Sequence, residues 1–378
     1  MRVQLRTLGC RLNEAELESW AREFQADGHQ LVAETEETDL LVFNSCAVTQ
    51  DAVRKSRNLL RKASRENPGA RIILSGCYAS LNADEAESLG VDLVIANTDK
   101  HRLVEIARER LSLTSMPAHS TAPGETALFR LGRHRAFIKV QDGCRYRCTY
   151  CIVTVARGEE RSRSIAAIVE DIQRLQAEGI QEAVLTGVHL GGYGSDTGSD
   201  LTQLIETLLA ETDLPRLRLG SLEPWDIPDR FVALFDNPRL MPHLHLPLQS
   251  GSDTVLKRMA RRCHTTEFSG LVQRLRAAVP DLNVTTDVIV GFPGETEAEW
   301  SETLALTEAI GFGHMHVFSF SPRTGTAAAR LPAPVAGDIK KARSRALHAL
   351  ADTQRAAFAA RFEGRTLPIL WEGTRRLD

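Results

Sequence analysis

Three short apolar runs near the amino terminus each lead into a cysteine, and this arrangement constrains the fold more than any other feature of the chain. Residues 3–8 end at Gly9-Cys10, residues 40–43 at Asn44-Ser45-Cys46, and residues 72–74 at Ser75-Gly76-Cys77. Helical patterns fill the intervals, and strands that alternate with helices build a parallel sheet with helices packed on its faces. In such a sheet the carboxyl ends of all strands lie along one edge, where ligands bind. Cysteines about 30 residues apart in sequence can converge there. Residues 92–95 read as a fourth strand.

From residue 113 to 126 the periodicity fails and Ser, Thr, Pro and Gly accumulate, the composition of an interdomain linker. A second domain is expected to begin near Phe129. Its runs at 136–140, 183–186, 217–219, 243–246, 284–290 and 314–318 alternate with helical stretches. Six βα units are fewer than the eight of a closed barrel, so we expect an open partial barrel with its chemistry on the loops after the strands. Pro332, Pro334 and Gly337 precede a long Ala/Arg-rich helical pattern that runs to about Phe362. Residues 362–371 then read as a turn and a first strand, a remnant too short to bury a core alone.

The 378 residues suffice for two or three domains. With 46 Lys+Arg against 49 Asp+Glu, a formal charge of −3 argues against a protein that coats nucleic acid through its overall field. No stretch approaches the ~18 consecutive apolar residues of a membrane span, and Arg2 and Arg6 interrupt the only place for a signal-peptide core. We therefore expect a cytoplasmic protein without a membrane partner. The charge is uneven: residues 54–71 carry seven bases and one acid, and residues 130–163 nine bases and three acids. Arg54, Lys55, Arg57, Arg61 and Lys62 either face phosphates or form the solvated side of an amphipathic helix, and charge alone favours the solvated side.

The sharpest chemical signal is Cys144-Arg145-Tyr146-Arg147-Cys148-Thr149-Tyr150-Cys151, in a loop after a strand. Thiolates this close can ligate one metal centre, and both tetrahedral zinc and an iron–sulfur cluster normally want four ligands. A 4Fe-4S cube held by three cysteines leaves one iron open to a small molecule. The alternatives are a zinc site completed by His134 or His189, and reduced structural thiols. Spacing favours the cluster.

This spacing, with aromatic Tyr150 just before the third cysteine, resembles the signature of radical S-adenosylmethionine enzymes. Gln141-Asp142-Gly143-Cys144, Cys151-Ile152-Val153, Ala156-Arg157-Gly158 and Arg161-Ser162-Arg163 are similar to the methylthiotransferase family. So are Gly9-Cys10-Arg11-Leu12-Asn13, Asn44-Ser45-Cys46-Ala47-Val48-Thr49 and Gly76-Cys77-Tyr78-Ala79. The resemblance covers essentially the whole chain. It implies an α/β protein with residues 1–112 as an open parallel-sheet domain and 113–128 as linker. A partial (β/α)6 radical barrel with a trailing helix then occupies 129–361, and 362–378 begin a small TRAM-like β-barrel domain that is largely absent.

The resemblance also implies two 4Fe-4S clusters and S-adenosylmethionine. Cys144, Cys148 and Cys151 would hold the cluster that binds S-adenosylmethionine and passes it one electron. Cys10, Cys46 and Cys77 would hold an auxiliary cluster that delivers sulfur, and all six cysteines count as catalytic and metal-binding. The cofactor carries the hard chemistry, removal of a non-acidic carbon-bound hydrogen. A second S-adenosylmethionine would supply the methyl group. Tyr150, Thr186, Gly187, Ser221, Glu223, Gln249 and Gly291 fall where the family places the cofactor walls. Gly291 and Gly294 there would permit close backbone approach, or simply serve turns.

Ser56-Arg57 and the run Leu185-Thr186-Gly187-Val188-His189-Leu190-Gly191 look most like the members that act on N6-threonylcarbamoyladenosine beside the tRNA anticodon. The implied partners are the anticodon stem-loop, its base splayed out of the loop, and an external electron donor, with a monomer favoured. The alternatives are the same chemistry on N6-isopentenyladenosine tRNA or on a ribosomal-protein aspartate, and a two-cluster electron carrier without catalysis. Of His243 and His245 we expect at most one to face the barrel interior, packed rather than ligating. Cys263 is expected to be a free thiol whose pKa its neighbours could lower.

Overall fold

A computed structural model describes residues 1–34, 36–113 and 134–371. In the amino-terminal unit β1 (Arg2–Thr7), β2 (Gln30–Leu31), β3 (Leu40–Ser45), β4 (Arg71–Gly76) and β5 (Leu93–Ile95) form one parallel sheet in the order β2-β1-β3-β4-β5. Every residue of β3 is buried, because helices cover both faces of the sheet. These helices are α1 (Arg11–Ala26), α2 (Gln50–Glu66), α3 (Cys77–Leu81), α4 (Ala83–Glu87) and α5 (Leu103–Arg110). The four expected strands are present. The two-residue β2 was not foreseen, since two residues carry no periodicity.

α2 starts where Thr49 Oγ1 accepts the Ala52 N–H at 3.1 Å, a side-chain N-cap. It buries Ser56, Leu60 and Ala63 and leaves Arg54, Lys55, Arg61, Lys62 and Arg65 exposed, as an amphipathic surface helix should.

The second unit holds β6 (Arg135–Lys139), the antiparallel pair β7 (Gln141–Asp142) and β8 (Arg161–Ser162), and then β9 (Glu182–Thr186), β10 (Arg216–Leu219), β11 (His243–His245), β12 (Asn283–Val290) and β13 (His314–Ser319). Parallel sheets β10-β9-β6 and β11-β12-β13 are joined by the bridges Leu217↔Leu240 and Ser221↔His245. The result is a six-stranded open arc, as the six βα units predicted. Between and after the strands run α6 (Val153–Arg157), α7 (Ile165–Ala177), α8 (Leu201–Glu211), α9 (Asp253–Arg258), α10 (Thr265–Ala278), α11 (Glu297–Ile310) and α12 (Gly337–Ala360).

Alternate strand residues, among them Ile138, Leu185, Leu217, Leu244 and Val284, pack outward in the main core with Ile168, Ile172, Leu204, Leu208 and Phe268. Each such fully buried side chain contributes roughly 1.5–3 kcal/mol. The other alternate residues face the lumen. His243 and His245 are two apart and share that face, so both point inward and the expectation of at most one is corrected.

The arc is open beside β6, and α1 of the first unit closes against it. Ala15 packs on Phe137 and Val184, and Glu18 Oε2 accepts the Phe137 N–H at 3.1 Å. An edge strand would otherwise leave that donor unpaired.

Residues 114–128 of the expected linker, and Phe129, lie outside the described residues. After α12 a turn leads to residues 365–371, which form no strand. The strand read there needs a neighbour for its backbone groups, and Leu367, Ile369 and Trp371 are exposed instead. Among the described residues no helix is long and apolar enough to cross a membrane.

Candidate active site

Cys10, Cys46 and Cys77 follow the carboxyl ends of three adjacent strands. The register pairs Thr7 with Asn44 and Ser45 with Gly76, so the three chains leave the sheet side by side. Gly76 has φ +96°, and a Cβ on it would sit 2.3 Å from the Ser45 carbonyl oxygen, so only glycine allows the turn into Cys77. Burial pushes the Cys46 thiol up to about 11, with Cys77 and Cys10 adding to the effect. Cys10 Sγ donates to Asn13 Oδ1 at 3.8 Å, and Asn97 Nδ2 donates to Cys77 Sγ at 3.8 Å.

Cys144, Cys148 and Cys151 share the loop between β7 and α6. Cys151 N–H donates to the Cys148 carbonyl at 3.0 Å, and Cys144 N–H to the Gly158 carbonyl at 3.1 Å. Burial pushes the Cys144 thiol up to about 12, and the other two cysteines of the loop raise it further. Burial likewise pushes Cys151 up to about 11, with Cys148 adding to it. In both sets the thiols are close enough to oppose one another's ionisation. A bound cationic metal centre reverses that opposition, and three sulfur donors per set leave one iron of a cube without a protein ligand. Both sets fit a 4Fe-4S cluster.

The zinc alternative does not fit. His189 comes near Cys144, but its Nδ1 is 2.5 Å from Glu160 Oε1 and its Nε2 is 2.5 Å from Asp226 Oδ2, so neither nitrogen is available as a ligand. Burial lowers the His189 pKa, yet the hydrogen bonds to Asp226 and Glu160 outweigh it and hold the imidazole above the ordinary histidine range. His134 precedes β6 and lies at the other end of that strand from Cys144.

Between the two cysteine sets sits a buried ionic network. Arg157, the last residue of α6, donates through Nη1 to Glu16 Oε1 and Asp142 Oδ1, both at 3.1 Å, and through Nη2 to Asn13 Oδ1 at 2.9 Å. Lys100 Nζ donates to Glu16 Oε2 at 2.6 Å. Lys139 Nζ reaches Glu16 Oε1 at 2.9 Å and Asp142 Oδ2 at 2.6 Å. Glu16, Lys100 and Arg157 side chains are at most 4% exposed. Three cations meet two carboxylates, which leaves one positive charge, and Cys77 and Cys10 both act on Arg157. A buried cation without a counter-charge is costly, whereas a cube on three thiolates is a net anion. The surplus is therefore matched to a cluster on Cys10, Cys46 and Cys77. Beside the network a cavity of about 460 Å³ opens between α1 and the barrel, lined by Trp20, Arg22, Lys139 and Arg163.

The remaining predicted residues gather at the carboxyl edge of the arc. Tyr150 packs against Val255, Met259, Ile289 and Phe292. Thr186 is buried, and a Cβ on Gly187 would meet Gln141 Oε1 at 3.0 Å. Ser221 is exposed and itself forms the bridge to His245. Glu223 is gripped by Arg261 through two bonds of 3.0 and 2.7 Å, so any ribose hydroxyl it serves must use its remaining lone pairs. Gln249 adopts φ +72°, strained for a residue with a side chain and of the kind found at functional sites. Gly291 also has positive φ, and the group crowding it is the Lys340 side chain of α12. Cys263 is a free thiol, but burial raises it to about 11, which corrects the expectation of a lowered pKa.

Sequence reasoning did not single out Glu16, Asn97, Lys100, Arg261 or Glu160 as site residues. Arg157 and Asn13 stood inside quoted motifs, and that was their only signal. Glu16 lies in an acid-rich stretch, residues 14–39, and its charge alone carries no sign of its burial.

A six-stranded arc with three clustered thiols at its carboxyl edge defines a radical S-adenosylmethionine enzyme, and the radical SAM superfamily model matches residues 138–307. Uncharacterized protein family UPF0004 matches residues 2–96. The chain is 38% identical over 376 residues to threonylcarbamoyladenosine tRNA methylthiotransferase MtaB of Thermotoga maritima, covering 98% of this chain and 86% of that one. It is 34% identical to tRNA-2-methylthio-N(6)-dimethylallyladenosine synthase of Oceanobacillus iheyensis, covering 99% and 75%. In fold it is similar to the radical S-adenosylmethionine methyltransferase TsrM from Kitasatospora setae, with TM-score 0.62 and 14% identity over 87% of this chain and 77% of that one. The chain belongs to the radical S-adenosylmethionine methylthiotransferase family. Enzymes of this family use S-adenosylmethionine and two 4Fe-4S clusters, and the chain carries two sets of three free cysteines.

Proposed function

We propose that this enzyme converts N6-threonylcarbamoyladenosine beside the tRNA anticodon to its 2-methylthio derivative. The observation that carries the reading is the pair of three-cysteine sets bridged by Arg157, on a chain 34–38% identical along 98% of its length to relatives named for that tRNA reaction. Cys144, Cys148 and Cys151 hold the cluster that engages S-adenosylmethionine, and Cys10, Cys46 and Cys77 hold the auxiliary one. When bound, these groups supply one-electron reduction of S-adenosylmethionine and the sulfur to be transferred.

The chain's own residues do the positioning. Asp142 and Arg157 fix the two cysteine-bearing segments against each other. Arg261 anchors Glu223, which with Ser221 takes the ribose hydroxyls of S-adenosylmethionine, while Thr186 and Gly187 take its methionine amino group, Gly291 approaches its adenine, and Tyr150 and Gln249 line the same edge. We assign residues 1–112 to the auxiliary-cluster domain and 129–361 to the barrel. The chain works as a cytoplasmic monomer, fed by an external electron donor. The exposed basic face of α2 meets the phosphates of the anticodon stem-loop.

The test is anaerobic reconstitution with iron and sulfide, incubation with reductant, S-adenosylmethionine and tRNA bearing either modified adenosine, and mass spectrometry of the nucleosides. A 2-methylthio product from the threonylcarbamoyl substrate supports the reading. Product only from the isopentenyl substrate overturns it.

A further inference from the structure

The lumen of the barrel carries a polar constellation that the cofactor chemistry does not use. On β11, β12 and β13 the inward residues are His243, His245, Thr285, Asp287, His314 and His316, with His245 beside Thr285 and Asp287 beside His316 in the strand register. Ligand atoms of His245, Asp287 and His316 all lie within 4.8 Å of one another.

The hydrogen-bond order can be assigned along this wall. Burial pushes His243 down to about 3, so it is neutral, and its buried Nδ1 has no partner. An orphaned lone pair is tolerated better than an orphaned N–H, which puts the proton on Nε2. Nε2–H then donates to Thr285 Oγ1 at 3.1 Å, and the Thr285 hydroxyl donates onward to His245 Nδ1 at 2.9 Å. His245 therefore carries its proton on Nε2, which lies 3.2 Å from Asp287 Oδ1. That assignment removes His245 Nε2 as a metal ligand. It leaves Asp287 as an oriented carboxylate with lone pairs to spare.

The opposite wall is α1. Arg11, next to Cys10, lies 4.9 Å over the Phe137 ring. His316 is held below the ordinary histidine range by burial first, then by His245, His314 and Arg11, with Asp287 pulling the other way, which places Arg11 within electrostatic reach. The His245 and Asp287 side chains are 15% and 24% exposed, and His316 is more open still, so the wall is accessible from the lumen.

We propose that Asp287, His316 and Arg11 form the subsite that reads the N6 substituent of the substrate purine, a ureido group ending in a carboxylate. Asp287 accepts the ureido N–H, and Arg11 with His316 donates to the carboxylate. An apolar alkenyl substituent offers none of the three a hydrogen bond, and a site built to hydrogen-bond its ligand discriminates against analogues that lack the matching group. The inference deepens the substrate reading above and rests on it.

The test compares kcat/KM of the reconstituted full chain on tRNA carrying the threonylcarbamoyl group, its carboxyl methyl ester, or the isopentenyl group. Wild type prefers the acid over the ester. Arg11→Met and His316→Phe each cut that preference by about 10- to 100-fold, the range for a lost charged hydrogen bond. Asp287→Asn lowers acid and ester alike and leaves their ratio. Iron per chain and thermal melting serve as folding controls, and Arg11, largely exposed, gives a variant that folds even where His316→Phe does not. An unchanged acid/ester ratio in Arg11→Met, with wild type still modifying threonylcarbamoyl tRNA, overturns the subsite and spares the substrate reading. Wild-type activity on isopentenyl tRNA alone overturns the substrate reading itself.

Discussion

Arg157 and Asn13, 144 residues apart in sequence, are joined by a hydrogen bond of 2.9 Å from Nη2 to Oδ1. Asn13 also accepts from Cys10, and Arg157 also holds Asp142, two residues before Cys144. One guanidinium therefore ties both cysteine sets together and supplies the positive charge that an anionic cluster needs. Arg157→Met should reduce iron per chain from about eight toward four on reconstitution. In the cluster-free protein it leaves Lys100 and Lys139 balanced against Glu16 and Asp142, so the cost there should stay at about 1–3 kcal/mol, that of the hydrogen bonds Arg157 no longer makes. Iron analysis and urea unfolding read the two effects separately, and full iron retention would count against the charge-matching argument.

Replacing Cys144, Cys148 and Cys151 together by alanine should leave about four irons per chain, and so should replacing Cys10, Cys46 and Cys77. Colorimetric iron assay after anaerobic reconstitution decides this. A wild type with only four irons, lost solely with Cys144, Cys148 and Cys151, would remove the sulfur-delivery site.

Two glycines should show the same division through backbone geometry alone. Gly76→Ala places a methyl 2.3 Å from the Ser45 carbonyl, and Gly143→Ala places one 1.8 Å from the Glu159 carbonyl, both at positive φ. We expect the first to lose the auxiliary irons and the second the irons of the barrel, with the other four retained in each. Equal loss of both sets would mean global unfolding instead.

Acid should weaken the interface between the two units. Burial pushes the Glu16 carboxyl up, but Arg157, Lys100 and Lys139 outweigh it and hold it far below its ordinary 4.5. A carboxyl depressed in the folded state contributes stability above its unfolded pKa and loses it as pH falls further. Wild-type stability should therefore drop below pH about 4.5, and Glu16→Gln should flatten that limb by up to about 1.4 kcal/mol per pH unit. Chemical denaturation between pH 3 and 7 provides the comparison.

Much of this was legible in the sequence because strands and cysteines announce themselves locally. The runs before Cys10, Cys46 and Cys77 became β1, β3 and β4, and the six later runs became the arc. The cysteine spacing in residues 144–151 could be read without any tertiary information. The ionic network could not. Glu16, Lys100 and Arg157 lie on separate elements, and nothing in one sequence shows that docking α1 on β6 buries all three. His243 and His245 were misjudged for a simpler reason, since residues two apart on a strand share a face. Of the turn and strand expected within residues 362–371 only the turn formed, since a strand needs a pairing partner that local apolarity cannot supply.

The bond from Asn97 Nδ2 to the Ala156 carbonyl and the grip of Arg157 on Asn13 have a consequence for biogenesis. All three cysteines of the first set are synthesised before residue 78, but the groups that complete their surroundings emerge only after residue 157. Until then the nascent amino-terminal unit holds Glu16 and Lys100 without their third partner. A cluster loaded at that earliest-made site would find its surroundings complete only once the first strand and helix of the barrel had been made, the ligands coming early from the ribosome and the counter-charge late.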